Sequence, residues 1–376
     1  MRQIGVMVDL MGRYGRAVLE GVTDFSLQCR QLKIIAPQPF GYSSLSGWTQ
    51  WDIDGMIIQM PALDWGEEIR SRGIKAVNVS SIMRETGFPT VTLDSVGIGR
   101  MAAEYFLNRG FRNFAFIGGF SYFAQLRGDA FVARTIEAGY SCMRPPINTL
   151  DISVHGSEWT DLCNFLKAAP YPLAIFAPND HSAMTVLDVC AAANIAVPEQ
   201  AAVLGCDNDE LFYRRAQPPL SSIDVPAVKV GFEAAQALMD LIEGRAVPEV
   251  KLLQPLSIVT RKSTDILAIN DPEIMKSLQF IRENAHRQIQ IKDVVAQVPL
   301  TRRTLELRFR EIVGRPILAE IIRVKIEMAK ELLLDTDLKM PEIAIRCGFT
   351  RAPYFGEVFR RKLDMTPTEF RRRNKK

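Results

Sequence analysis

The chain has 376 residues, 47% hydrophobic and 24% charged, which suits a soluble globular protein of two or three domains and excludes a disordered or fibrous one. Its formal charge of +3 conceals a division: after residue 272 there are 23 Lys and Arg against 14 Asp and Glu, a balance of +9 that leaves −6 upstream. An acidic body with a basic end points to an anionic polymer as partner of that end.

The six cysteines, Cys29, Cys142, Cys163, Cys190, Cys206 and Cys347, show no CxxC spacing, and there are only three histidines. Neither a disulfide framework nor a metal site is expected, and no cofactor. The start, MRQIGVMVDLMGRYGRAV, runs into a strand pattern without the apolar run and cleavage site of a secretory signal. No stretch approaches the ~18 apolar residues of a membrane span. The expectation is a cytoplasmic protein with no membrane partner.

In chain order, short apolar runs alternate with helical periodicity over about the first 260 residues, the signature of parallel βαβ units. Strands are predicted at 4–8, 32–36, 55–59, 75–79, 90–93, 114–117, 173–176 and 202–204, and helices at 16–28, 97–108, 181–193 and 228–242. This is a doubly wound α/β pattern. Ligands of such sheets sit beyond the carboxyl ends of the strands, so polar residues just after strands are candidates. Asp9, Asp180 and Asp207 hold such places, and Arg127 lies in GFSYFAQLRGDAF between a strand and a helix. Carboxylates and a five-donor guanidinium around one cleft suit a polyhydroxylated ligand. The alternative assigns Asp180 to capping the helix near His181, and Asp207 and Asp209 to turns. No GxSxG elbow, GxxxxGK[ST] loop or strand-following GxGxxG is present, and the neighbours Asp180, His181 and Ser182 point in different directions, so no catalytic residue is assigned.

The run from PYPLAIFAPNDHSAM through VPEQAAVLGCDNDELF to LSIVTRKST resembles the effector domain of LacI/GalR-type regulators over about residues 3–265. That resemblance implies a two-lobed α/β domain like the periplasmic sugar-binding proteins. Lobe 1 would hold about 1–110 and 224–250, and lobe 2 about 111–223 and 251–268. It implies that Arg127, Asp180 and Asp207 hold ligand hydroxyls, with Asp9, Tyr14 and Arg16 on the first-lobe side.

A composition shift at Ser263 to Pro272, ending in Asn270, Asp271 and Pro272, places a boundary near residue 270. A helix over 273–285 would bury Ile274, Leu278 and Ile281. Beyond it a helix-turn-helix pattern occurs twice. In the first copy, Ile291 to Val313, a short helix carries Val294, Val295 and Val298 and ends at Pro299. Thr301 then caps a helix with Leu305, Phe309 and Ile312 inward and Arg302, Arg303, Glu306 and Arg310 outward. In the second, Met340 to Lys362, Ile343, Ala344, Cys347, Phe349, Phe355 and Phe359 face inward and Arg351, Tyr354, Glu357, Arg360 and Arg361 outward. Arg can pair with guanine and Glu with cytosine in the major groove, at about 1–3 kcal/mol of discrimination each. A solvated charged face is the alternative for either helix alone, and recurrence argues against it. Ala352 and Pro353 at the tip of the second helix make that copy the better backbone anchor and the first the better reader of bases. Between them, 317–334 reads as one helix of about 27 Å, a length that could set two recognition helices about 34 Å apart, one turn of B-DNA.

VVAQVPLTRRTLELRFREIVGRP and EIAIRCGFTRAPYFGEVFRRKLDMTPTEFRRR closely resemble the two halves of the AraC/XylS-type DNA-binding domain, over about residues 273–373. Pro299 and Asp364 stand where that family usually has Gly. The order, a 1–268 sensor before a 269–376 DNA-binding domain, resembles the xylose-operon regulators, as do YGRAVLEGV, GCDNDELFYRRAQPPLSSI and RKSTDILAINDP. The resemblance implies a transcriptional regulator whose partners are double-stranded operator or promoter DNA, a sugar effector such as D-xylose, a second copy in a homodimer, and RNA polymerase. The alternatives are a cytoplasmic sugar-binding protein, or an α/β sugar-processing enzyme, with a nucleic-acid-binding tail.

Overall fold

The computed structural model describes residues 2–29, 32–36, 52–83, 85–149, 156–266, 271–363 and 365–374. The chain divides into two compact units, Met1–Ala268 and Ile269–Lys376. Part of the expected boundary segment, 267–270, and the departure at Asp364 lie outside the described residues.

The first unit begins with β1 (Arg2–Met7), α1 (Arg13–Cys29), β2 (Leu32–Ile35), β3 (Gly55–Ile58), α2 (Leu63–Ser71), β4 (Lys75–Asn78) and β5 (Thr90–Leu93). There follow α3 (Ser95–Leu107), β6 (Asn113–Phe116), α4 (Tyr122–Glu137), β7 (Cys142–Met143), α5 (Ser157–Ala168), β8 (Leu173–Phe176), α6 (Asp180–Ala192), β9 (Ala201–Cys206), α7 (Glu210–Arg215) and β10 (Ser221–Asp224). Last come α8 (Ala227–Ile242), β11 (Val250–Leu253), β12 (Ser257–Val259) and a 3-10 turn at Lys262–Thr264. Two six-stranded sheets result, in the orders β11-β5-β4-β3-β1-β2 and β12-β10-β9-β8-β6-β7. All neighbours are parallel except β10 and β12. Strands β3, β8 and β9 are buried at every position, which is why they read as continuous apolar runs.

The first crossing between lobes comes earlier than the expected one near residue 110. The chain leaves the first sheet at Asp94, whose side chain accepts from Gly97 N and caps α3, so the crossing precedes this helix. The apolar stripe of α3 faces the second lobe, with Phe106 edge-on to Phe111 and Phe131 at 5.3 and 6.4 Å. A stripe in a sequence shows that a helix is amphipathic and not which sheet it covers. The second crossing follows Asp224, and α8 returns to the first lobe, where Phe232 meets Phe25 edge-on at 5.2 Å. The third follows Leu253 rather than residue 250, because β11 pairs in parallel with β5. Backbone bonds tie the three crossings together: Asp94 N donates to Leu253 O at 2.8 Å, and Leu256 N to Asp224 O at 3.0 Å.

The periodicity reading placed no strand at β7, β10, β11 or β12. Strand β10 is instructive, since Ser221 and Ser222 are fully buried. Their hydroxyls are satisfied inside the protein, so no apolar run was needed.

The second unit is all helical: α9 (Pro272–Asn284), α10 (Ile291–Val295), α11 (Arg302–Val313), α12 (Ile317–Asp335), α13 (Met340–Arg346), α14 (Ala352–Leu363) and α15 (Pro367–Asn374). Asp271 starts α9 by accepting from Glu273 N and Ile274 N and pairs with Arg308 of α11. Helix α10 ends at Val295, short of Pro299. Thr301 caps α11 through Thr304 N. Leu305 and Phe309 are buried as expected, but Ile312 is 40% exposed and Val313 takes the inward place at 7%. Phe309 to Val313 is one turn (i, i+4), which keeps the stripe in line, whereas Ile312 falls short of it. Around the second copy, Ile326, Ala329 and Leu333 of α12 pack with Ile343, Ala344, Cys347, Phe349, Phe355, Val358 and Phe359.

Candidate functional site

The carboxyl ends of the first unit's strands open on a cavity of about 420 Å³ between the lobes. Its walls include Asp9, Tyr14, Arg127, Asp180 and Asp207, five of the six side chains picked from the sequence. Arg127 comes from the second turn of α4 rather than from a connecting segment. It is 4% exposed, and its carbon centre lies 5.1 Å from the centroid of Phe123, another wall residue. One terminal nitrogen donates to Pro178 O and stands 3.9 Å from Asp207 Oδ1. Its Nε is buried and has no hydrogen-bond partner among the described residues. Arg127 and Asp207 thus set a charged donor and a charged acceptor side by side in the cavity wall.

Asp207 follows β9 at φ +104°, and Asn208 follows at +53°. Two successive left-handed non-glycine residues are uncommon and collect at functional turns. Burial pushes the Asp207 carboxyl up to about 6, with Arg127 opposing the rise. Asp180 is 1% exposed and has both oxygens engaged: Oδ1 accepts from Ser222 Oγ at 2.6 Å and Oδ2 from Asp209 N at 2.7 Å. Burial, and then the charge of Asp207, hold its carboxyl well above the usual range. The capping alternative fails for Asp180, since Asn179 is the residue that caps α6 through Ser182 N. Asp209 does cap α7, accepting from Leu211 N. The Tyr14 hydroxyl donates to Val79 O, and burial pushes its pKa above the usual phenol range, so it stays protonated. Asp9 is exposed and accepts from Met11 N at 2.9 Å.

Arg16 is not among the cavity walls. Its Nη1 donates to Leu10 O and Met11 O, and its Nη2 reaches Asp209 of the other lobe at 2.9 and 3.2 Å. Arg13 N joins it on Asp209 Oδ2 at 2.9 Å. In this structure Arg16 therefore ties the lobes together at the cavity mouth. Gln59, Ser80, Asn179 and Phe212 also line the cavity. Gln59 ends one predicted strand and Ser80 follows another, so the rule that found Asp9 could have found them. Phe212 stacks on His181 at 5.7 Å, a contact that no local pattern announces.

In the second unit, the outward residues chosen from the sequence lie on the surface of α11 and α14 or at its start. Arg302, Arg303 and Arg310 of α11 are exposed and Glu306 half-buried; Arg351, Tyr354, Glu357, Arg360 and Arg361 are all exposed. Arg302 and Glu306 pair with each other at 2.9 Å. Arg303 is exposed and has no ion-pair partner among the described residues. Helix α12 joins the two copies, and its 19 residues span about 28 Å. Polar clamps hold this connection near its start and at its middle. Glu320, buried at 1%, accepts from Arg315 Nε at 2.5 Å and from Arg323 Nη2 at 2.7 Å, while Lys325 Nζ donates to Gly348 O at 2.5 Å.

Residues 103–264 match a periplasmic binding protein-like domain and residues 294–373 a helix-turn-helix domain. The chain is 30% identical to the xylose operon regulatory protein of Haemophilus influenzae, an alignment covering 98% of each. The chain belongs to the xylose-operon regulator family. With the xylose operon regulatory protein of Escherichia coli K12 it shares 36% identity, over 56% of this chain and 54% of that one. The structure of a xylose-binding transcription activator covers 100% of this chain with 98% of its own, at 27% identity and a TM-score of 0.73. A cellobiose complex of the regulator CelR covers 70% of this chain with 84% of its own, at 23% identity and a TM-score of 0.57, a likeness of fold alone. The regulator thus combines an AraC-type helix-turn-helix domain with a periplasmic-binding-protein-like, sugar-responsive domain, in a family of transcriptional regulators rather than enzymes. No helix among its described residues is long and apolar enough to cross a membrane.

Proposed function

We propose that the cavity binds D-xylose or a close relative, and that its occupancy changes the DNA affinity of the second unit. The carrying observation is the juxtaposition of the buried Arg127 guanidinium and the Asp207 carboxylate, 3.9 Å apart, on one cavity wall. A guanidinium offers donors and a carboxylate acceptors, the pair that ring hydroxyls satisfy. Asp9 and Tyr14 serve from the first lobe, Asp180 holds the Asp207–Asp209 loop in place, and Arg16 stabilises the closed lobes. The names of the relatives support xylose over other sugars. The regulator works in the cytoplasm as a homodimer on repeated half-sites. RNA polymerase is a further partner, a reading supported by the solved relative's description as a transcription activator.

Calorimetric titration with D-xylose, D-ribose, L-arabinose and D-glucose between pH 5 and 8 tests the ligand site. Hydroxyl donors favour the ionised form of Asp207, so binding lowers its proton affinity and releases a proton. Affinity for D-xylose is therefore expected to rise with pH through about 6 and to level off above it. No binding of any sugar removes the proposal, and a flat profile removes Asp207 from it.

On the DNA side, Arg303 of α11 reads bases and Arg360 of α14 anchors phosphate. Arg303→Ala is expected to cost about 1–3 kcal/mol on the specific duplex and little on a random one. Arg360→Ala should weaken both alike and lower the salt slope by about one unit. Fluorescence anisotropy over a salt series separates the two, and matching profiles would sink the assignment.

A further inference from the structure

The Val259-Thr-Arg-Lys-Ser-Thr264 segment, singled out in the sequence only as a mark of resemblance, is joined to the cavity through a chain of part-buried and buried polar contacts. Asp207 faces the cavity, whereas its neighbour Asn208 points into the protein. Asn208 N donates to Ser222 Oγ at 2.9 Å, and Asn208 Oδ1 accepts from Arg261 Nη2 at 2.7 Å. Arg261 lies 3.7 Å from the centroid of the Tyr213 ring, and its Nη1 donates to Leu220 O at 2.8 Å. Its backbone N donates to Ser221 Oγ at 2.7 Å. From there Thr264 Oγ1 reaches Ser221 Oγ at 2.7 Å, Ser263 Oγ takes Ser221 N at 2.8 Å and gives to Val203 O at 2.6 Å, and Tyr105 OH meets Thr264 Oγ1 at 2.6 Å. Ser221, Ser263 and Thr264 are fully buried. Lys262–Thr264 is the last element of the first unit before the chain enters Ile269–Lys376.

We infer that Arg261 is a positioning residue that couples the cavity to this exit turn: its side chain grips Asn208, and its backbone is fixed to Ser221. Asp207 and Asn208 are adjacent left-handed residues, so a ligand that draws the Asp207 carboxylate toward it rotates the peptide that carries Asn208. Arg261 passes that movement to Lys262–Thr264, since the serine and threonine hydroxyls leave this turn little independent freedom. Dense, fully satisfied polar networks switch between discrete arrangements more readily than they deform. The inference rests on the cavity being the sugar site.

The test uses the full chain and D-xylose. Operator affinity is measured with and without sugar for wild type, Arg261→Met and Asn208→Gly, the second retaining a residue suited to positive φ. Sugar affinity is measured alongside. Coupling between sites typically spans about 5- to 150-fold. In both variants D-xylose affinity and sugar-free operator affinity are expected to stay within threefold of wild type, while the sugar-dependent change in operator affinity falls at least fivefold. Wild-type coupling retained by both variants overturns the inference and leaves the sugar site standing. Coupling lost only in proportion to lost sugar affinity overturns it too. A wild type that binds no D-xylose overturns the sugar reading, and this inference with it.

Discussion

Arg127→Met is expected to weaken D-xylose binding by at least about 30-fold at pH 7, because removing one partner of a buried charge pair costs about 2–5 kcal/mol. The side chain is 4% exposed, so water cannot take over its role. Two effects add. The ligand loses the guanidinium in the cavity wall, and Asp207 loses the cation that opposes the burial pushing its carboxyl up to about 6. The second effect gives a signature beyond lost affinity, since the pH midpoint of the residual binding should move upward. Arg127→Lys keeps a charge without the planar fork and should retain the midpoint better than the affinity. Operator binding without sugar is the control for folding. Calorimetry at pH 6, 7 and 8 reads all three, and a methionine variant that binds within threefold of wild type would remove Arg127 from the site.

Much of this site was legible because parallel sheets put their ligands at one end of every strand. Asp9, Asp180 and Asp207 are all found by asking which polar residue follows a predicted strand. The same question does not separate a side chain that faces a ligand from one that holds the loop behind it. Asp180 lines the cavity yet spends both oxygens on Ser222 and Asp209. Arg16 is the opposite case, a cation near the site whose partner, Asp209, is 193 positions away in the other lobe. No local pattern announces an ion pair across a cleft, because it depends on how far the lobes close.

The first lobe crossing and the strands outside the expected set are hidden from the sequence for a related reason. Helix α3 and strands β10 to β12 are assigned by what they pack against or hydrogen-bond to, and β10 buries serines where an apolar run was sought. The helical unit was more legible, because its contacts are local and its apolar residues recur at helical spacing. Even there the choice between Ile312 and Val313 turned on one position. The clamps Glu320 and Lys325 are not legible in the sequence, since a charged residue in a helical pattern reads as solvent-facing until its partners are known.

Gly348→Ala is expected to abolish operator binding while D-xylose affinity stays within threefold. Gly348 forms the turn between α13 and α14 at φ +67°, and a Cβ there would stand 2.2 Å from Arg287 O and 2.5 Å from Ala285 O. The left-handed conformation alone costs an alanine about 1–2 kcal/mol. The two carbonyls add a clash that only a backbone shift relieves, and that shift would displace the Gly348 carbonyl from Lys325 Nζ. The turn that aims α14 and its link to α12 would thus be lost together. Gly314, after α11, supplies the internal comparison: its φ is +75° and nothing lies within 4 Å of the place a Cβ would take. Gly314→Ala should therefore cost only the conformational term and leave operator binding measurable. Hydrogen exchange of the full chain should show protection lost in α13 and α14 for Gly348→Ala and kept for Gly314→Ala. Equal effects of the two substitutions would show that left-handed strain alone governs these turns and that the approach of Arg287 and Ala285 contributes nothing.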